Sequence, residues 1–351
     1  MPTFCRHGRF LERCPICSKD LPGRAPAGGS TRAPKARSRA GSTEKRSAGR
    51  GRATGMKVRR EGRAVEDGYS SELVPGLRAS ADAERLADEI AFSSGRLGVL
   101  ALEPPGPYGE ARLLAATDLE RASWICFLIA YLGPLEGEDP FEGVRTLLGR
   151  APDLAYVQMP DSELDLDGIA LGPRTSHDPA RGAATLSAYG DWVQRGGHPV
   201  AATGAAAQVA SGRQAEAFLG DAGWSAQRRF ERLYERLALP GLHRRARFDL
   251  LVTMGRLGLY ELQAGSLQLS SARGIAAEDP TTTAAKRVFG IGDPILLERR
   301  AATLAEAVGV PLETLDLALE NWASAQRVAM GVSSEIRDES ADESAREALG
   351  L

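Results

Sequence analysis

The sequence predicts a mostly α-helical body behind a small N-terminal zinc module. Two observations carry the helical part. From about residue 76 onwards apolar residues recur at three- and four-residue spacing, and Ser, Thr or Asp caps with Gly and Pro stops cut the chain into helix-length pieces. A third carries the module: Cys5, His7, Cys14 and Cys17 crowd into thirteen residues.

That cluster reads Cys-x-His-x6-Cys-x2-Cys. A Cys-x2-Cys turn, here containing Pro15, places two thiolates on one metal, and the upstream pair completes a closed tetrahedral Cys3His shell. A closed shell has no open position for a substrate, so the expected role is structural zinc. A redox Cys-x2-Cys or unrelated thiols are the plainer alternatives. Four cysteines with Cys126 isolated do not form the disulfide framework of a secreted domain. The first thirty residues carry Arg and Pro in place of an apolar signal core, and the most apolar run, 122–132, is too short to span a bilayer. A soluble cytoplasmic protein is expected, with no membrane partner.

The formal net charge of −2 conceals a separation. Residues 1–65 hold 17 Lys/Arg against 4 Asp/Glu, a net of +13, and the remainder carries −15. Residues 21–75 have few large apolar side chains to offset ordering entropy and read as a disordered basic linker. Such a segment binds nucleic-acid phosphates through counterion release, or simply tethers two modules. The expected organisation is therefore a zinc module over 1–20, the linker over 21–75, a helical domain over 76–332 and an acidic tail over 333–351.

Within the domain, Ser80 is placed to cap a helix through 93, with Leu86 and Ile90 on one face. The run 97–102 reads as a short strand. Thr117 or Asp118 opens the most apolar helix, which ends near Gly133 and Pro134; Pro140 opens another through 148. Further helices are expected over 178–196, 201–210, from Ser225 with Phe230, Leu233, Tyr234 and Leu237 inward, and from Pro240 to about Gly255–258. Over 160–168 the acids Asp161, Glu163, Asp165 and Asp167 would share one side if the chain were extended. They could then hold magnesium, although a solvated strand face is the plainer reading.

The stretch from Asp279 is the most informative. A helix carrying Lys286, Arg287 and Val288 should break at Gly290-Ile291-Gly292, and Asp293 with Pro294 should start the next. Helix, Gly-hydrophobic-Gly, helix is the logic of a helix-hairpin-helix, whose glycines let backbone N–H groups approach a DNA phosphate. An ordinary helical turn would look the same.

Three segments, A-A-K-R-V-F-G-I-G-D-P-I-L-L-E-R-R-A, R-R-A-R-F-D-L-L-V-T-M-G-R-L-G-L-Y and D-L-E-R-A-S-W-I-C-F-L-I-A-Y-L-G, resemble the alpha-glutamyl/putrescinyl thymine pyrophosphorylases, third clade. The resemblance covers roughly 80–330. It implies a helix-hairpin-helix DNA-glycosylase-like fold acting on DNA, in which a pyrophosphorylated hydroxymethyl pyrimidine loses pyrophosphate and gains an amine or amino acid. An excising glycosylase acting against foreign DNA and a DNA-binding adaptor without catalysis are the rivals.

The implied chemistry needs an extruded base against apolar walls, a cation for pyrophosphate and a carboxylate to take a proton. Trp124, Trp192, Trp224, Tyr234 and Tyr260 are available as walls, with a core role the plainer one. Lys286, Arg287, Arg244 and Arg247 are the candidate cations. Asp249, two residues after Arg247 in an apolar tract, is the candidate acid, the two forming an Arg–Asp pair. Lys286, Arg287, Gly290, Gly292 and Asp293 are the expected DNA contacts. Base-excising relatives carry an Asp beyond the hairpin; the equivalent count from Gly292 reaches Leu312 and Glu313, with Asp316 a little further.

Overall fold

Asp118 and Gly133 bound the helix around which the body is built. In the computed structural model, which describes residues 64–158, 164–197, 213–269 and 279–351, helix α3 spans Leu119–Leu132. The Asp118 carboxylate accepts from Arg121 N–H at one end, and Gly133 leaves the helix at φ 69° at the other. Every side chain from Ala122 to Leu132 is buried. The eleven-residue apolar run is therefore a buried core helix, and no helix among the described residues is long and apolar enough to cross a membrane. Its aromatic side chains continue into neighbouring elements. Trp124 and Phe127 stack, Phe127 lies 3.7 Å from Tyr189, and the rings pass on through Trp192 and Phe218 to Tyr260.

The chain divides into units Met1–Arg59 and Arg60–Leu351. Cys5, His7, Cys14, Cys17 and the basic stretch to residue 63 lie outside the described residues. Within the second unit the described structure is mostly helical and contains no strand. α1 (Ser80–Leu102) and α2 (Gly106–Leu114) precede α3; α4 (Glu142–Arg150), α5 (Leu154–Val157), a 3-10 turn (Pro179–Arg181) and α6 (Ala184–Gln194) follow. α7 (Gln214–Leu219), α8 (Ala226–Arg236) and α9 (Arg244–Arg256) come next, then α10 (Pro280–Phe289), α11 (Pro294–Val308), α12 (Thr314–Ala323) and α13 (Glu339–Leu349). α1 packs on α12 and α13, α3 on α2 and α9, and α10 on α12. The expected helix over 201–210 lies outside the described residues.

Four expectations need correction. The run 97–102 is not a strand but the last turns of α1, where Leu97 and Leu100 extend the buried stripe begun by Leu86 and Ile90. Gly95, whose missing side chain admits Ile336 Cγ2 to 2.7 Å of the Cβ position, serves close packing and does not end the helix. The residues from 333 are not a tail. Asp338 caps α13, and Ala341, Ala345 and Leu349, four apart, are buried. Small alanines and many charges had masked that stripe. Asp165 and Asp167 lie in a loop whose carbonyls accept from Arg150, so they do not share a strand face; Asp161 and Glu163 lie outside the described residues.

The fourth concerns the linker boundary. Residues 64–79 are part of the folded body, with Val74 fully buried and Leu77 nearly so. Tyr69 donates its hydroxyl to Leu349 O at 2.7 Å, and Gly76 N–H donates to Val288 O at 2.9 Å. This strap crosses the end of α10 so closely that a Cβ on Gly76 would stand 1.8 Å from Arg287 O. Backbone cannot retreat as a flexible side chain can. Gly76→Ala is therefore expected to cost about 1–3 kcal/mol, the usual range for overpacking. A urea midpoint equal to the parent's would show that the close approach is not required.

Candidate active-site cavity

Two buried arginines, a third at the edge and four carboxylates tie α9, α10 and α12 together. Arg174, fully buried, donates to Asp249 at 2.8 and 3.1 Å, to Asp316 at 2.7 Å and to Glu320. Arg244 reaches Asp316 at 2.6 Å and Asp279 at 2.9 Å, and Arg245, at the edge, pairs with Glu320. Burial alone would raise the Asp316 carboxyl, but Arg244 and Arg174 outweigh it and hold it below the usual carboxylate range. Burial likewise opposes the Arg174 charge, and Asp249, Glu320 and Asp316 more than restore it.

The expected Arg247–Asp249 pair does not form. Side chains two apart on a helix point to different sides, and Asp249 meets Arg174 from outside α9 instead. Arg247 turns to Tyr234, with its guanidinium 4.4 Å from the ring centre and Nη1 donating to Tyr234 O at 3.2 Å. Asp249 thus sits in a satisfied ionic clamp.

A cavity of about 1010 Å³ lies at the other end of α9. The loop Gly258 to Gln263, the start of α8 and the residues leading into α12 close around it. Its aromatic wall is Tyr260, whose hydroxyl meets Ser123 Oγ at 2.6 Å and is driven well up by burial. Arg229, buried, braces the rim by donating to the carbonyls of Leu219, Trp224 and Glu261. Pro311 ends the approach to α12, and Glu313 follows as its N-cap residue. Glu313 is 8% exposed. Arg256 Nη2 holds its Oε1 at 2.7 Å, while Oε2 has no hydrogen-bond partner, nor has the buried Thr314 hydroxyl beside it. Buried polar atoms are nearly always satisfied, so the unpaired Oε2 of Glu313, a residue of the cavity wall, is an exception that singles this side chain out.

Residues 178–329, which include every residue lining this cavity, match the model for alpha-glutamyl/putrescinyl thymine pyrophosphorylase clade 3. The likeness is one of this segment, less than half of the chain. No curated protein and no solved structure matches the chain. α1 to α5 and Arg174 lie before the matched segment, so that segment is clamped by an arginine from outside it.

The hairpin of this family segment has the expected turn. Gly290 closes α10 in the left-handed region at φ 63°, and Gly292 has open space around it. Lys286 is half-buried; Arg287, Gly290, Gly292 and Asp293 are exposed. Asp293 caps α11 by accepting from Ile295 and Leu296 N–H at 2.9 and 3.1 Å. It therefore takes two donors at the helix N-terminus where a phosphate was expected, which leaves the glycine turn itself as the open approach. The hairpin and Glu313 stand at opposite ends of α11, whose fifteen residues span about 22 Å at 1.5 Å each.

Of the aromatic candidates, Trp124, Trp192 and Tyr234 are core side chains. Trp224 is half-exposed under Arg236, 5.0 Å from its ring. Only Tyr260 of that set lines the cavity. Arg229 and Arg256 were missed because surface-like Arg spacing on a helix gives no sign of what the far end contacts.

Proposed function

We propose that the chain modifies a thymine-derived base in DNA, exchanging a pyrophosphate on its hydroxymethyl carbon for an amine, and that the base enters the Glu313 cavity. The observation that carries this is the Glu313 carboxylate: one oxygen is fixed by Arg256 and the other is unpartnered, in an aromatic-walled cavity inside the family segment. In this reading the amine nitrogen attacks the methylene carbon as the carbon–oxygen bond to pyrophosphate breaks. The leaving group takes the bonding electron pair, and Glu313 takes one proton from the alkylated nitrogen. Arg256 orients the acid and places a positive charge beside the departing anion. Tyr260 offers a wall for the flipped base.

The glycine turn with Lys286 and Arg287 positions the duplex through its backbone without reading sequence, as phosphate contacts do. Asp249 serves the clamp and Asp293 the helix cap. The test is amine-dependent pyrophosphate release from DNA bearing the pyrophosphorylated base. An abasic product instead supports an excising glycosylase, and tight binding without any product supports an adaptor.

In the same reading Cys5, His7, Cys14 and Cys17 hold one structural zinc, and residues 18–65 add salt-sensitive affinity for nucleic acid. Metal analysis of the full chain should find one zinc that is lost when the chain is shortened to begin at residue 64. Equal zinc in both contradicts the assignment.

A further inference from the structure

We propose that Ser93 and Arg96, on the inner face of α1, bind a small monovalent anion of the chloride or formate class inside the body. Both side chains are buried, at 2% and 4% exposure. They stand three residues apart on one helix, which makes them neighbours on its surface. Helical side chains lean towards the helix N-terminus, and this brings the Arg96 guanidinium back over the turn that carries Ser93.

Three polar atoms point to a ligand. Ser93 Oγ, Arg96 Nε and Arg96 Nη2 are buried without a hydrogen-bond partner, whereas buried polar atoms are nearly always satisfied. The Ser93 hydroxyl does not turn back onto its own helix as that of Ser123 does, donating to Leu119 O at 2.7 Å. Nε and Nη2 share one edge of the planar guanidinium, the fork that grips a carboxylate. Arg174 uses that same edge on Asp249, with Nε and Nη2 at 2.8 and 3.1 Å from its two oxygens. Arg96 meets the Tyr108 hydroxyl, a neutral acceptor that leaves the charge unmatched. The buried carboxylates that could match it are committed elsewhere: Glu89, one turn before Ser93, grips Arg327, and Asp249 holds Arg174. A buried guanidinium is costly unless an anion meets it. The fork supplies two donors and the Ser93 hydroxyl a third. Enclosure sets the size, because side chains so deeply buried cannot reach the backbone of a nucleic acid.

The test is heat denaturation of the full chain at constant ionic strength while gluconate is exchanged for chloride or for formate. A ligand of the native state raises the midpoint with its concentration. The parent should respond, and Arg96→Met, which removes the charge and keeps an apolar stem, should not. Ser93→Ala should weaken the response about tenfold in apparent affinity, the worth of one hydrogen bond to a charged group. Protection by chloride alone assigns a halide, and protection by formate assigns a small carboxylate. A parent midpoint that moves with neither salt overturns the proposal, and so does an equal rise in Arg96→Met, which would be a general salt effect. Should Arg96→Met fail to fold, Ser93→Ala decides, and an affinity equal to the parent's then overturns the assignment. Neither residue lines the Glu313 cavity, so failure here leaves the reading of that cavity standing.

Discussion

Arg174→Met is expected to lower the urea midpoint of unfolding more than any other single substitution in the body. Arg174 is fully buried and its guanidinium divides itself among Asp249, Asp316 and Glu320. Removing it strands carboxylates in the interior, and breaking a buried pair in this way costs about 3–5 kcal/mol. Three acids share the loss, so the upper end applies. Asp316 keeps Arg244 and Glu320 keeps Arg245, but Asp249 loses its only ion-pair partner among the described residues. Against roughly 5–15 kcal/mol for a typical domain, such a loss removes a third or more of the stability and should lower the urea midpoint steeply. The double variant Arg174→Met with Asp249→Leu should recover part of the loss, because the most exposed of the new penalties is gone. Urea denaturation of the three proteins measures it. A single variant within about 1 kcal/mol of the parent would mean that the clamp contributes no more than a surface pair.

Glu313→Gln carries the largest expected effect on turnover. Glutamine keeps the size of the side chain and can still accept from Arg256, so the fold should be retained and the melting temperature should move by a few degrees at most. It cannot take a proton. Loss of a positioned general base lowers rates by about 10²–10⁴-fold. The expected result is a variant that binds substrate DNA like the parent and releases pyrophosphate at least a hundredfold more slowly. Asp249→Asn should show the reverse pattern, an early melt with the surviving folded fraction still active, because its carboxylate meets Arg174 and not the cavity.

Much of the helical framework was legible because it is written in local signals. Asp118 and Asp293 cap the helices they were expected to open, and Gly290 ends α10 in the conformation that glycine tolerates best. The run 97–102 was misread because α1 buries a continuous face through two glycines that look like breakers, and Ala79, not Ser80, takes the cap position. α13 was missed because its inner stripe is mostly alanine. The site was less legible, for a different reason. Asp249 stood out correctly as an acid in an apolar tract, but the tract cannot say that its partner is Arg174, 75 residues earlier. Glu313 was reached only by counting from the hairpin. Its distinction from Asp316, three residues on, is that one faces a cavity and the other two arginines, which depends on helix packing that no local pattern encodes.

The most direct measurement is nucleoside mass analysis of substrate DNA after a single turnover with amine, comparing the parent with Glu313→Gln at equal folded concentration. The expected products are an amine-substituted thymine from the parent and the unreacted pyrophosphorylated base from Glu313→Gln. Aminated product from Glu313→Gln at the parental rate would contradict it.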